Sequence, residues 1–116
     1  EWAFQNCSSL TRISIPDSVT EIGYMAFYNS GLSKVVIGSG VKEIGYSAFE
    51  NCYFLNEIIC KPTTPPTASP NSSNIWNAFK SIGTSAKIYV PVGSGDAYKV
   101  AKYWSDYASM IEEKAM

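Results

Sequence analysis

The sequence predicts a β-rich solenoid, in which short repeats stack on one another and a helical segment covers the last one. The dipeptide Ala-Phe recurs at separations of 23, 22 and 30 residues, at Ala3-Phe4, Ala26-Phe27, Ala48-Phe49 and Ala78-Phe79. A run of alternating apolar residues follows each recurrence, as a short β-strand requires. One repeat cannot bury its own apolar side chains, so neighbouring repeats must stack, with their strands parallel.

Four short strands, one in each repeat, are predicted from this alternation. Successive side chains of a strand point to opposite faces, so every second residue faces the core. The residues expected to face inward are Ile13 and Ile15, Val35 and Ile37, Ile58 and Cys60, and Ile88 and Val90. Stacking then aligns the outward residues in two columns: Arg12, Lys34, Glu57 and Lys87 in the first, and Ser14, Val36, Ile59 and Tyr89 in the second.

The second outward column is apolar at Val36, Ile59 and Tyr89, which is unexpected on a solvated face. Apolar and aromatic surface patches mark contacts with other molecules, so we interpret the two columns together as a candidate ligand face. Two other interpretations stay open. Such residues favour any β-sheet, and a Pro-rich segment further along the chain could lie over them.

A second motif, Val-x-Glu-Ile-Gly-Tyr, recurs at residues 19–24 and 41–46 and predicts another short strand in each repeat. Its glycine indicates either a positive φ or a close approach between two backbones. The motif also stacks Glu21 on Glu43. Two carboxylates on a ladder, outside any cleft, are typical of a solvated face rather than of an acid–base pair. The recurring Asn6, Asn29 and Asn51 are expected to bond turn backbone.

The chain length of 116 residues predicts one domain with four parts. Residues 1–60 hold the first repeats, and residues 61–74, with four prolines, are expected to form an inserted surface loop. Residues 75–92 carry the last repeat, and residues 93–116 form the C-terminal cap. Because the first residues fall within the repeat pattern, the chain is expected to be a fragment of a longer protein.

The cap is predicted to be helical, from Gly95 to about Met110, with Ser94 or Asp96 at its start. A solenoid end exposes apolar surface and unpaired strand edges, which an aromatic-rich helix would cover. The aromatic residues concerned are Tyr98, Tyr103, Trp104 and Tyr107. The alternative is that they form a platform on which sugar rings stack.

Composition excludes several classes of function. Histidine is absent, which removes Ser-His and Cys-His nucleophile pairs and the commonest metal ligand. The net charge of −1 offers no basic surface to a phosphate backbone, so no nucleic-acid partner is expected. No apolar run is long enough to be a transmembrane segment. We therefore expect a chain without enzymatic activity, cofactor or metal.

The three cysteines are an odd number and form no Cys-x-x-Cys pair. Cys7 and Cys52 occupy equivalent positions two repeats apart, too far for a disulfide if repeats stack at about 4.8 Å. Cys60 takes the place of Ile15 and Ile37 in an inward column. All three are predicted to be buried, reduced thiols that fill small apolar spaces.

The repeat Ala-Phe-x-Asn-Cys-x-x-Leu-x-x-Ile-x-Ile-Pro-x-Ser-Val-x-x-Ile-Gly resembles that of the BspA-type bacterial leucine-rich-repeat proteins. The sequence departs from it at Ser30, which stands where Cys7 and Cys52 stand, and at Gly31, where the turn is one residue shorter. The resemblance implies a right-handed leucine-rich-repeat solenoid with short parallel strands. It covers most of the chain.

The same resemblance implies a function. Proteins of this type come from gut and oral anaerobes, are secreted or displayed on the cell surface, and include adhesins. The partners it implies are a host matrix protein, a glycan or another cell surface, and it carries over no catalytic residue. A purely structural role remains the alternative, in which these repeats terminate a longer solenoid whose binding site lies upstream.

Overall fold

Two parallel sheets form the framework of the computed structural model, which describes residues 11–45, 47–68, 79, 81–83, 85–102 and 104–115. The predictions for Asn6, Cys7, Tyr103 and residues 69–78 lie outside these ranges. The strands are β1 (Arg12–Ile15), β2 (Glu21–Ile22), β3 (Lys34–Ile37), β4 (Glu43–Ile44), β5 (Glu57–Cys60), β6 (Thr67–Ala68), β7 (Lys87–Pro91) and β8 (Ile111–Lys114). The larger sheet has the order β1-β3-β5-β7-β8 and the smaller one the order β2-β4-β6.

Each coil of the chain contributes one strand to the larger sheet. Coil one carries β1 and β2, coil two β3 and β4, coil three β5 and β6, and coil four β7. Every neighbouring pair is parallel, and the registers align Ile13 with Val35, Val35 with Ile58, and Ile58 with Ile88. The predicted stack of parallel strands is therefore confirmed for the described residues.

The inward columns are confirmed as the core. From coil two to coil four, all six predicted inward side chains have no exposed surface: Val35, Ile37, Ile58, Cys60, Ile88 and Val90. Ile15 in coil one is 7% exposed, and Ile13 is half-buried. Burial of a large aliphatic side chain contributes roughly 1.5–3 kcal/mol, so this column is a main source of stability.

The recurring phenylalanines form a stacked ladder beside these strands. The ring of Phe49 lies between those of Phe27 and Phe79, at centroid distances of 5.2 and 5.4 Å and interplanar angles of 5° and 6°. All three side chains are buried. The recurrence of phenylalanine at Phe27, Phe49 and Phe79 thus follows from ring-on-ring packing between coils, which places one phenylalanine in each turn of the solenoid.

Close backbone approach explains the glycine of the second motif. A Cβ atom added at Gly45 would lie 2.6 Å from the backbone nitrogen of Tyr24, in the preceding coil. A Cβ at Gly38 would lie 2.5 Å from the carbonyl oxygen of Ile15. Of the two alternatives that the sequence left open, close approach is the one that applies at Gly45, because only glycine lets the coils stack this tightly there.

The recurring asparagines have a conformational cause. Asn29 and Asn51 both have positive φ, 57° and 64°, in the left-handed region that asparagine tolerates better than most residues. The side chain of Asn51 donates to the hydroxyl of Tyr28 in the preceding coil at 3.3 Å, not to turn backbone as expected. Both asparagines therefore support their turns through their left-handed backbone, and Asn51 adds a side-chain contact between coils.

The Pro-rich segment differs from the expected surface loop in its described part, residues 61–68. Thr67–Ala68 is β6, paired with β4 so that Thr67 aligns with Glu43. Pro62 and Pro66 are buried, and their carbonyl oxygens accept hydrogen bonds from Tyr98 (2.6 Å) and Trp104 (2.8 Å). This stretch completes coil three instead of bulging from it, because buried tyrosine and tryptophan need acceptors and proline carbonyls supply them.

The C-terminal segment differs from the predicted single helix. Helix α1 covers Gly95–Val100 only, and Ala101 has extended backbone. A 3-10 segment over Trp104–Met110 follows, interrupted at Tyr107, and then the chain forms β8. Ser94 is the N-cap residue, as predicted, but its hydroxyl donates to the carbonyl of Pro91; the carboxylate of Glu113 accepts from the Gly95 N–H at 2.9 Å.

The aromatic residues of this segment pack on the end of the phenylalanine ladder. Tyr98 and Trp104 have no exposed surface and meet edge to face at 5.0 Å. Trp104 and Tyr107 contact the ring of Phe79 at 5.5 and 5.7 Å. The packing role predicted for Tyr98 and Trp104 is confirmed, and burial excludes them as a sugar-stacking platform.

Candidate interaction face

The outward side chains of the larger sheet lie in the columns that the sequence predicted. Arg12 aligns with Lys34, Lys34 with Glu57, and Glu57 with Lys87. In the second column the successive partners are Ser14, Val36, Ile59 and Tyr89. We name these eight residues, together with Glu112 and Lys114 of β8, the outward face.

Strand β8 extends this face, which the sequence did not predict. Strand β8 pairs with β7, so that Tyr89 aligns with Glu112 and Pro91 with Lys114. The signal was present, since Ile111 follows Ile88 by 23 residues, the same separation as between the first two Ala-Phe pairs. The helical spacing of the aromatic residues between β7 and β8 instead predicted a single helix up to about Met110.

Ion pairs connect the strands across the outward face. The ammonium group of Lys87 lies 2.7 Å from Glu112, which raises the pKa of Lys87 through a hydrogen bond and charge attraction. Glu57 lies 3.9 Å from both Lys34 and Lys114. All of these side chains keep about a third or more of their surface in solvent. Such exposed pairs contribute little to folding stability.

The apolar column lies between these charges and is partly open to solvent. Val36, Ile59 and Tyr89 are half-buried. The nitrogen of Lys114 lies 4.8 Å from the centre of the Tyr89 ring, in a cation–π contact that covers one face of the ring. Residues 61–68 lead away to the smaller sheet, so this part of the Pro-rich segment does not cover the column.

A polar cluster of Asp17, Ser39 and Lys61 connects the first three coils beside the outward face. Asp17 accepts a hydrogen bond from the Ser39 N–H at 2.8 Å and pairs with Lys61 at 3.1 Å. The Ser39 N–H, followed by the Lys61 ammonium, lowers the pKa of Asp17. Both partners of the pair are exposed, so the cluster orients the turns without forming a buried site.

The two described cysteines are structural. Cys52 and Cys60 are buried free thiols, as predicted, and burial raises the pKa of each. Cys52 donates to the carbonyl of Phe27 at 3.1 Å and contacts the hydroxyl of Ser30, its equivalent in the preceding coil, at 3.3 Å. Since reactive cysteines need an accessible thiolate, these two are unsuited to nucleophilic chemistry.

Among the described residues, the stacked carboxylates Glu21 and Glu43 lie along the smaller sheet. Glu21 and Glu43 align across β2 and β4, as predicted. In the ranges that the structure describes, no three acidic or cysteine side chains gather as metal ligands. Over the same ranges, no helix is long and apolar enough to cross a bilayer.

Comparison with known families agrees with this geometry. Residues 1–86 match a family model described as BspA type Leucine rich repeat region (6 copies). The match covers the coils with β1 to β6 and ends just before β7. A comparison with curated proteins found no match.

Proposed function

The chain belongs to the BspA-type leucine-rich-repeat family, and we propose that it is a non-catalytic interaction module of a secreted or cell-surface bacterial protein. The family is associated with surface proteins and protein binding. We further propose that the module acts in adhesion or in recognition of host or other cells, and that the outward face makes the contact.

The observation that carries this proposal is the half-buried apolar column of Val36, Ile59 and Tyr89 in the middle of a charged sheet face. A rigid sheet holds these side chains in fixed register, so a partner would meet them already ordered. Preorganisation of this kind lowers the entropy lost on binding. Apolar residues surrounded by polar ones are also the common arrangement of protein interfaces.

The test is a binding array of extracellular-matrix proteins, mucins and bacterial polysaccharides, probed with the 116-residue chain and two variants. Val36→Thr/Ile59→Thr removes apolar contact from the face while keeping β-branched side chains. Val100→Thr makes the same kind of change at a residue of α1 that is 80% exposed and away from the face. We expect the double variant to lose about tenfold or more in affinity, and Val100→Thr to bind like the unmodified chain.

Two results would contradict the proposal. One is a chain that binds no member of the array, and the other is equal binding by the double variant and the unmodified chain. Melting temperatures of all three proteins serve as the control for folding.

A second candidate function is purely structural: these coils would terminate a longer solenoid that binds elsewhere. The observation in its favour is the buried end formed by Tyr98, Trp104 and Ile111. It predicts that the chain alone binds nothing on the array, whereas a longer protein that contains it does bind.

A further inference from the structure

The outward face has an excess of positive charge, although the chain as a whole has a net charge of −1. Its members include four of the nine basic residues, Arg12, Lys34, Lys87 and Lys114, but only two of the ten acidic ones, Glu57 and Glu112. Glu21 and Glu43, by contrast, belong to the smaller sheet. The outward face therefore carries a net charge of +2, whereas the chain as a whole carries −1.

The carboxylates of the face leave several of these cations incompletely neutralised. Glu57 is shared by Lys34 and Lys114 at 3.9 Å each, which is longer than a direct hydrogen bond. Arg12 is exposed and has no ion pair within the described ranges. Only Lys87 has a close partner, Glu112 at 2.7 Å. Arg12, Lys34 and Lys114 can thus attract an anionic group.

The apolar column of Val36, Ile59 and Tyr89 favours a polypeptide over a glycan as the anionic partner. Val36 and Ile59 present aliphatic surface between the cations, and a partner must cover that surface to gain from it. A glycan would instead stack on a free aromatic ring face, but Lys114 already lies over one face of the ring of Tyr89, the aromatic residue of the outward face, at 4.8 Å. A polypeptide can supply aliphatic and carboxylate side chains together.

We propose that the partner of the outward face is an acidic polypeptide segment. Its apolar side chains contact Val36 and Ile59, and its Asp or Glu side chains pair with Arg12, Lys34 and Lys114. The inference rests on the proposed function, because it uses the same face, and it adds the chemistry of the partner.

The test is fluorescence anisotropy with the full 116-residue chain and three labelled peptides. The first alternates Glu with Val, and the other two carry Gln or Lys in place of every Glu. We expect the Glu/Val peptide to bind at least about tenfold more tightly than the Gln/Val peptide and the Lys/Val peptide to bind least. Raising the salt concentration from about 0.05 M to about 0.5 M should weaken the first interaction most.

Charge reversal locates the site. Lys34→Glu should weaken binding of the Glu/Val peptide by about threefold to tenfold, since it places a like charge in the contact. Lys42→Glu is the matched control, because it changes the net charge equally at an exposed residue next to β4. Equal weakening by both variants would mean that overall charge and not the face governs binding, and would overturn the inference.

Two further results would overturn it. One is heparin that binds more tightly than the Glu/Val peptide and displaces it, which would identify a polyanionic glycan as the partner. The other is a failure of all three peptides to bind. If the Val36→Thr/Ile59→Thr variant nevertheless loses its partner on the array, the proposed function stands and only the partner chemistry is wrong.

Discussion

Within the described residues, coil one and the C-terminal segment differ in how they bury the same inward column. At coil one, Ile13 is only half-buried and lines a cavity of about 360 Å³ together with Ile15, Ile22 and Phe27. At the other end, Ile111 is 3% exposed, although no further strand pairs with β8 in the described part of the chain. Both residues occupy the same inward column, so the difference comes from what lies around them.

The difference teaches that large aromatic side chains contribute to burial at the C-terminal end of the core, beside strand β8. Tyr98 and Trp104 lie at the end of the phenylalanine ladder and have no exposed surface. Their polar atoms bond to the carbonyls of Pro62 and Pro66, so burial leaves neither unpaired. Among the described residues that line the cavity at coil one, none is a tyrosine or tryptophan, and the aromatic lining residue is Phe27.

The largest expected effect comes from Ile→Ala substitutions along the shared column. Ile58→Ala should lower the free energy of unfolding by about 2–5 kcal/mol, because it leaves a cavity in a fully packed core. Ile111→Ala should cost nearly as much, and Ile13→Ala clearly less, since Ile13 is already half-exposed. Urea unfolding of the three variants checks the order. Equal losses at Ile13 and Ile111 would show that the two ends do not differ.

Tyr98→Phe sharpens the comparison by removing one hydroxyl from the closed end. The Pro62 carbonyl would lose its 2.6 Å partner, and we expect a loss of about 1–3 kcal/mol. Tyr53→Phe is the matched control, because it removes a hydroxyl from a side chain that is 59% exposed. If Tyr98→Phe melts at the same temperature as the unmodified chain, the hydrogen bond to the Pro-rich segment contributes nothing to closure.

Glu113→Ala tests how β8 holds α1. Its carboxylate accepts from the Gly95 N–H, as an N-cap side chain would, so its loss should cost about 1 kcal/mol. Hydrogen exchange of the α1 amides should accelerate. Glu112→Ala, the adjacent change in the same strand, removes only an exposed ion pair and should leave α1 exchange unchanged. Similar acceleration in both variants would argue against the cap.

The smallest effects are two opposite pH dependences. The pKa of Asp17 is lowered from 3.8 in the folded chain, so its contribution is complete above that value and is lost as the pH falls through the folded pKa. The pKa of Lys87 is raised from 10.5, so its contribution is present below that value and is lost as the pH rises through the folded pKa. Acid should therefore weaken the Asp17 contacts that join coils one to three. Alkali should weaken the Lys87–Glu112 pair between β7 and β8.

Melting curves of Asp17→Asn and Lys87→Gln against pH measure these contributions. The difference between Asp17→Asn and the unmodified chain should shrink in acid, and the difference for Lys87→Gln should shrink in strong alkali. If the difference in melting temperature for either variant stays constant with pH, the ionised form of that residue does not stabilise the folded chain.

Sequence alone predicted the coils because one periodic pattern determines their packing. The alternation around Val35, Ile58 and Ile88 fixes which side chains face the core, and stacking then fixes the outward columns. The same logic predicted the buried state of Cys52 and Cys60. These features depend on neighbours in the repeat, which a sequence comparison with itself reveals.

The C-terminal segment could not be predicted in the same way, since its contacts are made with distant parts of the chain. The spacing of Tyr98, Trp104 and Tyr107 fits a helical stripe, yet α1 ends at Val100 and the chain forms β8 after Met110. Proline content likewise indicated a surface loop at residues 61–74, of which 61–68 are described. Nothing local shows that the carbonyls of Pro62 and Pro66 serve as acceptors for buried aromatic residues 36 and 38 positions later.

The most direct test of the outward face is NMR of a chain with labelled Val and Ile methyl groups, titrated with the strongest-binding target of the array. We predict that the methyl signals of Val36 and Ile59 shift on binding, while those of Val92 and Val100, which are 69% and 80% exposed outside the face, stay in place. Shifts confined to Val92 and Val100, with Val36 and Ile59 unmoved, would contradict the assignment of the outward face as the contact surface.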